Sequence, residues 1–276
     1  MSGGNKIAES TSRPARIAPV PEATRDPPLH APNAWPFGRP ARHRRRRRPG
    51  KLRYMTTPIV IIGAGGFGRG VFSYLTDIIA DATREDATGH YRFLGFIDDG
   101  HPDESKLDAI GATHLGGMAE IAGLPSGTAF VVAIGDGGTR RWLARRAMDA
   151  GLAPATLIHP DTTIGLGVTI GAGTVICPGT RVSSNVTIGE HAQLNMNCTL
   201  GHDVVLDDFV TVFPLNAISG YACIGEGATL GANSVINPGV IVGAGAYIAS
   251  GAAVTADVPP NHLAAGVPST VKKRMP

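Results

Sequence analysis

An aliphatic residue stands at every sixth position from residue 158 to residue 254, and this fixed period limits the fold more than any other feature of the chain. The series has no gap and no insertion. With 43% of the residues hydrophobic, seventeen aliphatic side chains in one frame cannot be chance. The members are Ile158, Ile164, Ile170, Ile176, Val182, Ile188, Leu194, Leu200, Leu206, Val212, Ile218, Ile224, Leu230, Ile236, Val242, Ile248 and Val254.

So short a repeat predicts a solenoid. Six residues are too few for a helix pair, and Gly and β-branched residues disfavour helix. Each unit therefore makes one short strand and one turn, and three units close a triangular coil of about 18 residues, with coils about 4.8 Å apart. We expect the aliphatic side chain to point into the prism. The small residue two positions earlier should lie near the corner, and the Gly that often follows should permit the bend.

The preceding hundred residues have a different pattern. Residues 57–62, TPIVII, are a predicted buried strand, followed by GAGGFG and an amphipathic helix to about Asp81. YRFLGFIDD and AFVVAIGDG are predicted strands, and TRRWLARRAMDAG is a predicted helix that Gly151 can stop. Alternating strands and helices of this kind predict a small βαβ sheet.

The Gly-rich turn matches GxGxxG at Gly63, Gly65 and Gly68, in a strand–turn–helix context. A sheet of three or four strands is half of the usual dinucleotide-binding unit. We therefore favour a mononucleotide or a nucleotide-sugar as ligand. The alternative is a tight turn without a ligand.

Residues 1–54 hold thirteen Lys and Arg against three Asp and Glu, together with nine prolines and the run Arg44–Arg48. Such a composition cannot build a packed core, so we expect residues 1–55 to be a disordered basic extension. Two alternatives stay open: a nucleic-acid arm or targeting signal, or an artefact of an upstream start before Met55. A nucleic-acid partner is not expected.

The cysteines and the hydropathy favour a cytoplasmic protein. Cys177, Cys198 and Cys223 form no CxxC pair, and we interpret all three as small buried side chains in a reducing compartment. No run of 18 apolar residues is present, so no membrane span is expected.

The hexapeptide pattern resembles the left-handed parallel β-helix of acyltransferases and γ-type carbonic anhydrases. With the Gly-rich domain before it, the chain resembles the sugar acetyltransferases of the sialic acid O-acetyltransferase and UDP-4-amino-sugar N-acetyltransferase family. The likeness covers residues 57–272 and rests on IIGAGGFGRGV, GFIDD, VAIGDG, LIHP, GHDVVLDDFV, IGEGATLGANSVINPGV and AAGVPSTVKKR.

The resemblance implies an α/β Rossmann-like half-domain followed by a left-handed parallel β-helix. The predicted segments are the extension at 1–55, a nucleotide-sugar-binding domain at 56–154 and an acyltransferase domain at 155–276. It also implies a homotrimer, with acetyl-CoA as co-substrate and without a metal.

His202 and Asp203 are the candidate catalytic pair. In the repeat, Leu200 points inward and Gly201 turns, so both side chains should project outward. An outward His is usually only solvated, but an imidazole with a pKa near 6.5 suits a general base and an adjacent acid can orient it. By resemblance, His202 is the base, Asp203 raises its basicity, and the N–H of Gly220, one coil later, binds the oxyanion.

The resemblance also assigns the binding residues. The sugar-nucleotide would contact Gly65, Gly66, Phe67, Asp98, Asp99 and Gly135. Acetyl-CoA would contact Thr211, Ala232 and Ser250, with residues 266–268 beside its pantetheine arm. Lys272, Lys273 and Arg274 would meet its phosphates or form a solvated end. The family often has His where this chain has Phe67 and Thr211. Cys198 points inward in the repeat, and we assign it to the core.

The predicted function is acetyl transfer from acetyl-CoA to an amino or hydroxyl group of a nucleotide-linked sugar in bacterial-type surface glycan biosynthesis. One alternative is a non-catalytic, trimeric nucleotide-sugar-binding scaffold. Another is a γ-carbonic-anhydrase-like metal enzyme, which needs three imidazoles around zinc. Against it, Asp207 stands where a ligand would follow His202, and His159 and His191 lack the required spacing. The sequence leaves open the sugar, the acyl group and the choice between oxygen and nitrogen.

Overall fold

A parallel four-stranded sheet opens the part of the chain that the computed structural model describes, residues 56–81 and 91–274. The sheet order is β2-β1-β3-β4. The predictions for residues 1–55 lie outside the described residues, and the predicted domain boundaries stay predictions. In chain order the elements are β1 Thr57–Ile62, α1 Gly66–Ala80, β2 Tyr91–Ile97, α2 Glu104–Asp108, a 3-10 helix Met118–Gly123, β3 Ala129–Val132, α3 Gly137–Asp149 and β4 Ala153–Pro154.

Local sequence explains the boundaries of these elements. β1 and β3 are short, continuous apolar runs whose residues are largely buried, as expected for strands covered on both faces. Gly63, which has a φ of +105°, ends β1, and a Cβ on Gly68 would collide with its carbonyl oxygen. Helix α3 begins where the Asp136 carboxylate accepts from the N–H of Thr139 at 2.7 Å. It stops at Gly151, which has a φ of +86°.

The second half is a left-handed β-helix, as predicted. Its two-residue strands recur every six residues, and a hairpin of longer strands ends the described part of the chain. They are β5 Leu157–Ile158, β6 Thr163–Ile164, β7 Thr169–Ile170, β8 Val175–Ile176, β9 Arg181–Val182, β10 Thr187–Ile188, β11 Gln193–Leu194, β12 Thr199–Leu200, β13 Val205–Leu206, β14 Thr211–Val212, β15 Ala217–Ile218, β16 Cys223–Ile224, β17 Thr229–Leu230, β18 Val235–Ile236, β19 Ile241–Val242, β20 Tyr247–Ile248, β21 Ala253–Val254, β22 His262–Gly266 and β23 Ser269–Arg274.

Three parallel sheets form the faces of the prism. Their orders are β19-β16-β13-β10-β7, β23-β22-β20-β17-β14-β11-β8-β5 and β21-β18-β15-β12-β9-β6, with β23 antiparallel to β22. Within each face, paired residues of stacked coils stand eighteen apart, as Thr199 and Ala217 do. The register confirms that three six-residue units close one coil.

The predicted inward positions are buried from the second coil onward. Fourteen of the seventeen aliphatic side chains, from Ile176 to Val254, are at most 3% exposed. Ile158 and Ile170 are partly buried and still pack against this core, whereas the prediction is wrong for Ile164, which is 38% exposed. Their strands pair with a neighbouring coil on one side only.

The glycines that follow the aliphatic residues do not make the bend, which corrects the sequence prediction. The φ angles of these glycines are outside the left-handed region. The residue with a left-handed φ in each turn comes two positions later, as Gly167 and Asn185 do. A Cβ at the glycines would lie at most 2.6 Å from backbone atoms of the adjoining coil. Close stacking therefore explains Gly165, Gly171, Gly189, Gly201, Gly225, Gly231 and Gly243.

The contact between the sheet and the coils buries a histidine. His191 is 1% exposed, and its ring stacks on Phe209 at 5.2 Å and on Phe130 at 6.1 Å. Burial and then the nearby Arg140 lower the pKa of His191 to about 4. The ring is therefore neutral in the folded protein near pH 5, whereas an unfolded histidine has a pKa near 6.5.

This difference predicts a loss of stability in mild acid. As the pH falls from about 6.5 towards about 4, the unfolded chain binds a proton that folded His191 does not, so unfolding becomes easier by up to about 3 kcal/mol. His191→Asn, which tolerates the φ of +51°, should show a shallower loss. Urea unfolding between pH 4.5 and 7.5 measures both slopes. Equal slopes in the two proteins would contradict the assignment.

A carboxylate inside the prism should unfold it. Ile188 is 2% exposed, whereas Thr187 on the same strand is exposed. We expect Ile188→Asp to lower the free energy of unfolding by more than about 4 kcal/mol, because it buries a charge and removes apolar packing. Thr187→Asp, the matched control, should change it by less than about 1 kcal/mol. Cooperative urea unfolding of Ile188→Asp at the wild-type midpoint would refute the inward assignment.

Candidate active site

The turn after β12 places the carboxylate of Asp203 within hydrogen-bonding distance of the His202 imidazole. Leu200 is buried inside the prism. The side chains of His202 and Asp203 project outward and are 55% and 33% exposed. Asp203 has a φ of +58°, in the left-handed position of the repeat. Its Oδ2 lies 2.7 Å from His202 Nδ1. With the Nδ1 proton donated to Asp203, the lone pair of Nε2 is available on the outer surface.

The coil above supplies a glycine over this ring. A Cβ on Gly220 would lie 2.8 Å from Cε1 and 2.9 Å from Nε2 of His202, so a larger residue would displace the imidazole. The Gly220 N–H donates to no acceptor within residues 56–81 and 91–274. Tyr221 packs its ring edge-on to His202 at 5.0 Å. A proton acceptor and a free backbone donor thus lie next to each other on stacked turns of two adjacent coils.

This arrangement is suited to acyl transfer. An imidazole whose other nitrogen is paired with a carboxylate can remove a proton from an attacking nucleophile. An unpaired backbone N–H beside it can donate to the oxygen that becomes negative in a tetrahedral intermediate. Both groups are held by main-chain geometry of stacked coils, which pre-organises them for reaction.

Two of the three cysteines are buried and unsuited to act as a nucleophile. Cys198 is fully buried, as predicted, and burial raises the pKa of its thiol to about 11. Burial likewise raises the pKa of Cys177 to about 12. The prediction that all three are buried is wrong for Cys223, which is partly exposed because it holds the outward position of β16.

A cavity of about 200 Å³ opens at the carboxyl ends of the parallel strands in the first domain. Asp98 Oδ2 accepts from the N–H of Ala64 at 2.7 Å and Oδ1 from Gly100 at 2.9 Å, so this carboxylate holds the Gly-rich turn. Asp99 Oδ1 accepts from the N–H of Met118 at 2.8 Å. The lining comprises Ile62, Gly63, Ile97, Asp98, Asp99, Met118, Ile134, Thr139, Trp142 and Leu143.

The other residues predicted to bind the sugar-nucleotide do not line this cavity. Gly65 and Gly66 are exposed at the start of α1, and Phe67 packs against the apolar cluster under that helix. The carbonyl of Gly135 accepts from the hydroxyl of Thr211 at 2.7 Å. Contacts of these four residues with a sugar-nucleotide stay predictions.

The residues predicted to bind acetyl-CoA separate into two places. Ala232 and Ser250 occupy the same turn position on adjacent coils, where they are partly buried and exposed respectively. Thr211 is 1% exposed, and its hydroxyl bonds both Gly135 and Arg140. The structure thus gives Thr211 a role between the two domains, and its contact with a co-substrate stays a prediction.

Sequence reasoning missed most of the cavity wall. Met118, Ile134 and Trp142 come from three separate segments that only the folded sheet brings together. Trp142 is 52% exposed, and the sequence signal for it was a tryptophan among the basic residues of the predicted helix, TRRWLARR. Within the described residues, no group of three or more His, Cys, Asp or Glu side chains could hold a metal ion. None of their helices is long and apolar enough to cross a membrane.

Comparisons with known proteins find similar domains in both parts of the chain. Residues 58–147 match the family model of the PglD N-terminal domain, and residues 224–256 match that of the bacterial transferase hexapeptide (six repeats). A search of curated proteins found no significant match.

Solved structures of similar fold extend over both parts of the chain. A perosamine N-acetyltransferase variant from Caulobacter crescentus, in complex with CoA and GDP-perosamine, is 27% identical at a TM-score of 0.69, covering 78% of this chain and 97% of its own. The acetyltransferase domain of PglB from Neisseria gonorrhoeae FA1090, in complex with acetyl coenzyme A, is 26% identical at 0.70, covering 79% and 100%. WeeI from Acinetobacter baumannii AYE is 26% identical at 0.56, covering 79% and 100%.

The fold, the hexapeptide family match and the structural neighbours identify an acyltransferase with hexapeptide repeats. Its PglD-type N-terminal domain and its structural neighbours confirm the resemblance to the sugar acetyltransferases that the sequence motifs indicate.

The fit of the ring beneath Gly220 gives a structural prediction. In Gly220→Ala, the added methyl group should push the imidazole away and break its bond to Asp203, while the exposed turn leaves the fold intact. We expect the ¹⁵N chemical shifts of His202 to change and the midpoint of thermal unfolding to move by less than about 3 °C. Ser184→Ala, at the same turn position two coils before Gly220, is the control. Unchanged ¹⁵N chemical shifts of His202 in Gly220→Ala would show that the imidazole can accommodate the methyl group, which contradicts the prediction.

Proposed function

We propose that this protein transfers an acetyl group from acetyl-CoA to an amino or hydroxyl group of a nucleotide-linked sugar, in the cytoplasm, for bacterial-type surface glycans. The observation that carries the proposal is the pairing of His202 Nδ1 with Asp203 beside the unpaired N–H of Gly220. Structural neighbours crystallised with CoA and GDP-perosamine, or with acetyl coenzyme A, support the substrate classes.

The reaction would be a direct transfer. His202 Nε2 takes a proton from the sugar amine or hydroxyl as that atom attacks the thioester carbonyl carbon. The carbonyl oxygen becomes negative and accepts from the N–H of Gly220. The intermediate collapses with cleavage of the carbon–sulfur bond, and the imidazolium returns its proton to the departing CoA thiolate. Asp203 stabilises the imidazolium and fixes its orientation.

The sugar-nucleotide would occupy the cavity beside Asp98 and Asp99. Carboxylates at the carboxyl ends of parallel strands lie where α/β sheets bind nucleotides. The apolar lining suits a base or ribose face, and the half-exposed indole of Trp142 offers a flat surface for stacking. We propose that the loop at Gly65, Gly66 and Phe67 and the backbone of Gly135 complete the site.

Acetyl-CoA would lie along one face of the prism in a homotrimer. The turn carrying His202 and the turn carrying Ala232 border the same sheet, β21-β18-β15-β12-β9-β6. A neighbouring copy over this face would enclose a groove between the two turns. Exposed apolar side chains near it support such a contact, among them Leu215 at 56%, Tyr221 at 62% and Val235 at 41%. Ala232 and Ser250 would then contact the co-substrate.

Replacement of the base tests the proposal. We expect His202→Ala to lower kcat at least about 100-fold, the scale of a lost general base, without a change in stability because the ring is half exposed. Asp203→Asn should lower kcat about tenfold, since it keeps the shape and loses the charge. The assay follows release of the CoA thiol with GDP- and UDP-linked amino and hydroxy sugars.

The matched control is His101→Ala, at an exposed histidine outside the proposed site, and it should keep the wild-type rate. A His202→Ala protein that is folded and transfers acetyl at the normal rate would end the assignment of the base. A wild type that binds CoA and GDP or UDP but transfers nothing would favour the non-catalytic scaffold.

A further inference from the structure

An arginine lies on the apolar face of α3, where the sequence pattern calls for a hydrophobic residue. Arg140 is 0% exposed and shares its face with the buried residues Leu143, Ala144 and Ala147. A buried charge is costly unless it is fully hydrogen-bonded. Burial lowers the pKa of Arg140 to about 10, so the guanidinium is still charged at neutral pH.

The partners of this guanidinium are neutral oxygens on two separate parts of the protein. On the loop after β3 it donates to the carbonyls of Ile134 at 2.7 Å and Gly135 at 3.2 Å. On the coils it donates to His191 O at 2.8 Å, Phe209 O at 2.6 Å, Val210 O at 3.2 Å and Thr211 Oγ1 at 3.0 Å. One side chain thus joins the loop to two stacked coils.

Neighbouring contacts make this junction rigid. Thr211 donates its hydroxyl to the Gly135 carbonyl, and Gln193, its partner on the coil below, donates Nε2 to Val132 O at 2.8 Å. A Cβ on Gly137, the first residue of α3, would lie 2.8 Å from Phe209 O. Arg141 pairs with Glu226 and stacks over the Phe209 ring. The start of α3 is therefore fixed against the coils from several sides.

The two joined parts carry different halves of the proposed reaction. Ile134, Thr139, Trp142 and Leu143, from the same loop and helix, line the cavity of the first domain. Residues 209–211 follow His202 on its own coil, since β12, β13 and β14 make one turn of the prism. Arg140 therefore bonds both the loop that lines the cavity and the coil that carries His202.

From this geometry we propose that Arg140 is a positioning residue, which holds the nucleotide cavity at the distance from His202 that transfer requires. The inference rests on the proposed function. Arg140 is fully buried and is not part of the cavity lining. It acts through the loop at 134–135, and a misplacement of about 1 Å can cost an enzyme about 100-fold in rate. A lysine cannot reproduce the six contacts, because its three donors radiate from one point rather than forming a planar fork.

The test separates binding from transfer in the full chain. We expect Arg140→Lys to keep the Kd of CoA and the Kd of GDP or UDP within about threefold of wild type, because each ligand is held by residues of one domain only. The kcat for the sugar-nucleotide that the wild type uses should fall at least about tenfold. Arg145→Lys, an exposed arginine on the same helix, is the control and should keep the wild-type kcat.

Thr211→Val provides a second variant should Arg140→Lys fail to fold. Valine keeps the shape and loses the hydroxyl that joins Gly135 and Arg140, so kcat should fall about threefold to tenfold with unchanged Kd values. Weaker CoA binding in Thr211→Val would instead support its predicted contact with the co-substrate and overturn this reading.

Each remaining outcome decides the question. A folded Arg140→Lys with the wild-type kcat refutes the positioning role. Loss of nucleotide binding in proportion to kcat would show that Arg140 only builds the cavity, which also refutes it. Failure of the proposed function is recognised separately, since the wild type itself would then show no transfer.

Discussion

The eighteen-residue register between stacked coils is the constraint on which the rest of the structure depends. Every coil is held to the next by parallel backbone hydrogen bonds and by a column of aliphatic side chains that reach the centre of the prism. A side chain on an outer turn therefore has fixed neighbours eighteen residues before and after it. This is how Gly220 comes to lie over His202, and why the ring fits there only because that neighbour has no Cβ.

The turns carry the candidate catalytic side chains because their backbone leaves the regular strand. The left-handed residue of each unit turns its side chain outward, and polar residues such as Asn185, Asn197 and Asp203 tolerate that conformation. Asp203 is the left-handed residue of one turn, and the residue before it is His202. The carboxylate of Asp203 is therefore within hydrogen-bonding distance of the His202 imidazole. The site thus costs the fold little, since no inward position is altered.

Two scaffolds of different kinds must keep a fixed relation for the proposed reaction. The sheet offers a cavity at the ends of its strands, and the prism offers an exposed turn. Between them lie a buried guanidinium bonded to neutral carbonyls and a neutral histidine stacked between two phenylalanines. Such a polar junction is satisfied only in one arrangement, whereas an apolar contact would permit sliding.

Much of this could be predicted from local pattern. β1, β2, β3, α1 and α3 lie where the sequence places them, and the solenoid follows from its period. The outward position of His202 and the inward position of Cys198 also follow from counting in sixes. The role of the recurrent glycines could not be predicted from local pattern, because it depends on close contact with the backbone of the adjoining coil. The partial exposure of Ile164 could not be predicted either, because it arises from the position of this residue on the first coil, which has a neighbouring coil on one side only.

The sequence by itself determined the period, the polarity of each position and hence the proximity of His202, Asp203 and Gly220. In a β-helix of constant pitch, residues eighteen apart in the sequence lie next to each other on adjacent coils. The tertiary structure alone decided the cavity wall and the buried environment of Arg140, His191 and Thr211. Hydrogen bonds among those contacts join residues up to 76 apart in the chain, and no local spacing encodes how two separately folded surfaces meet.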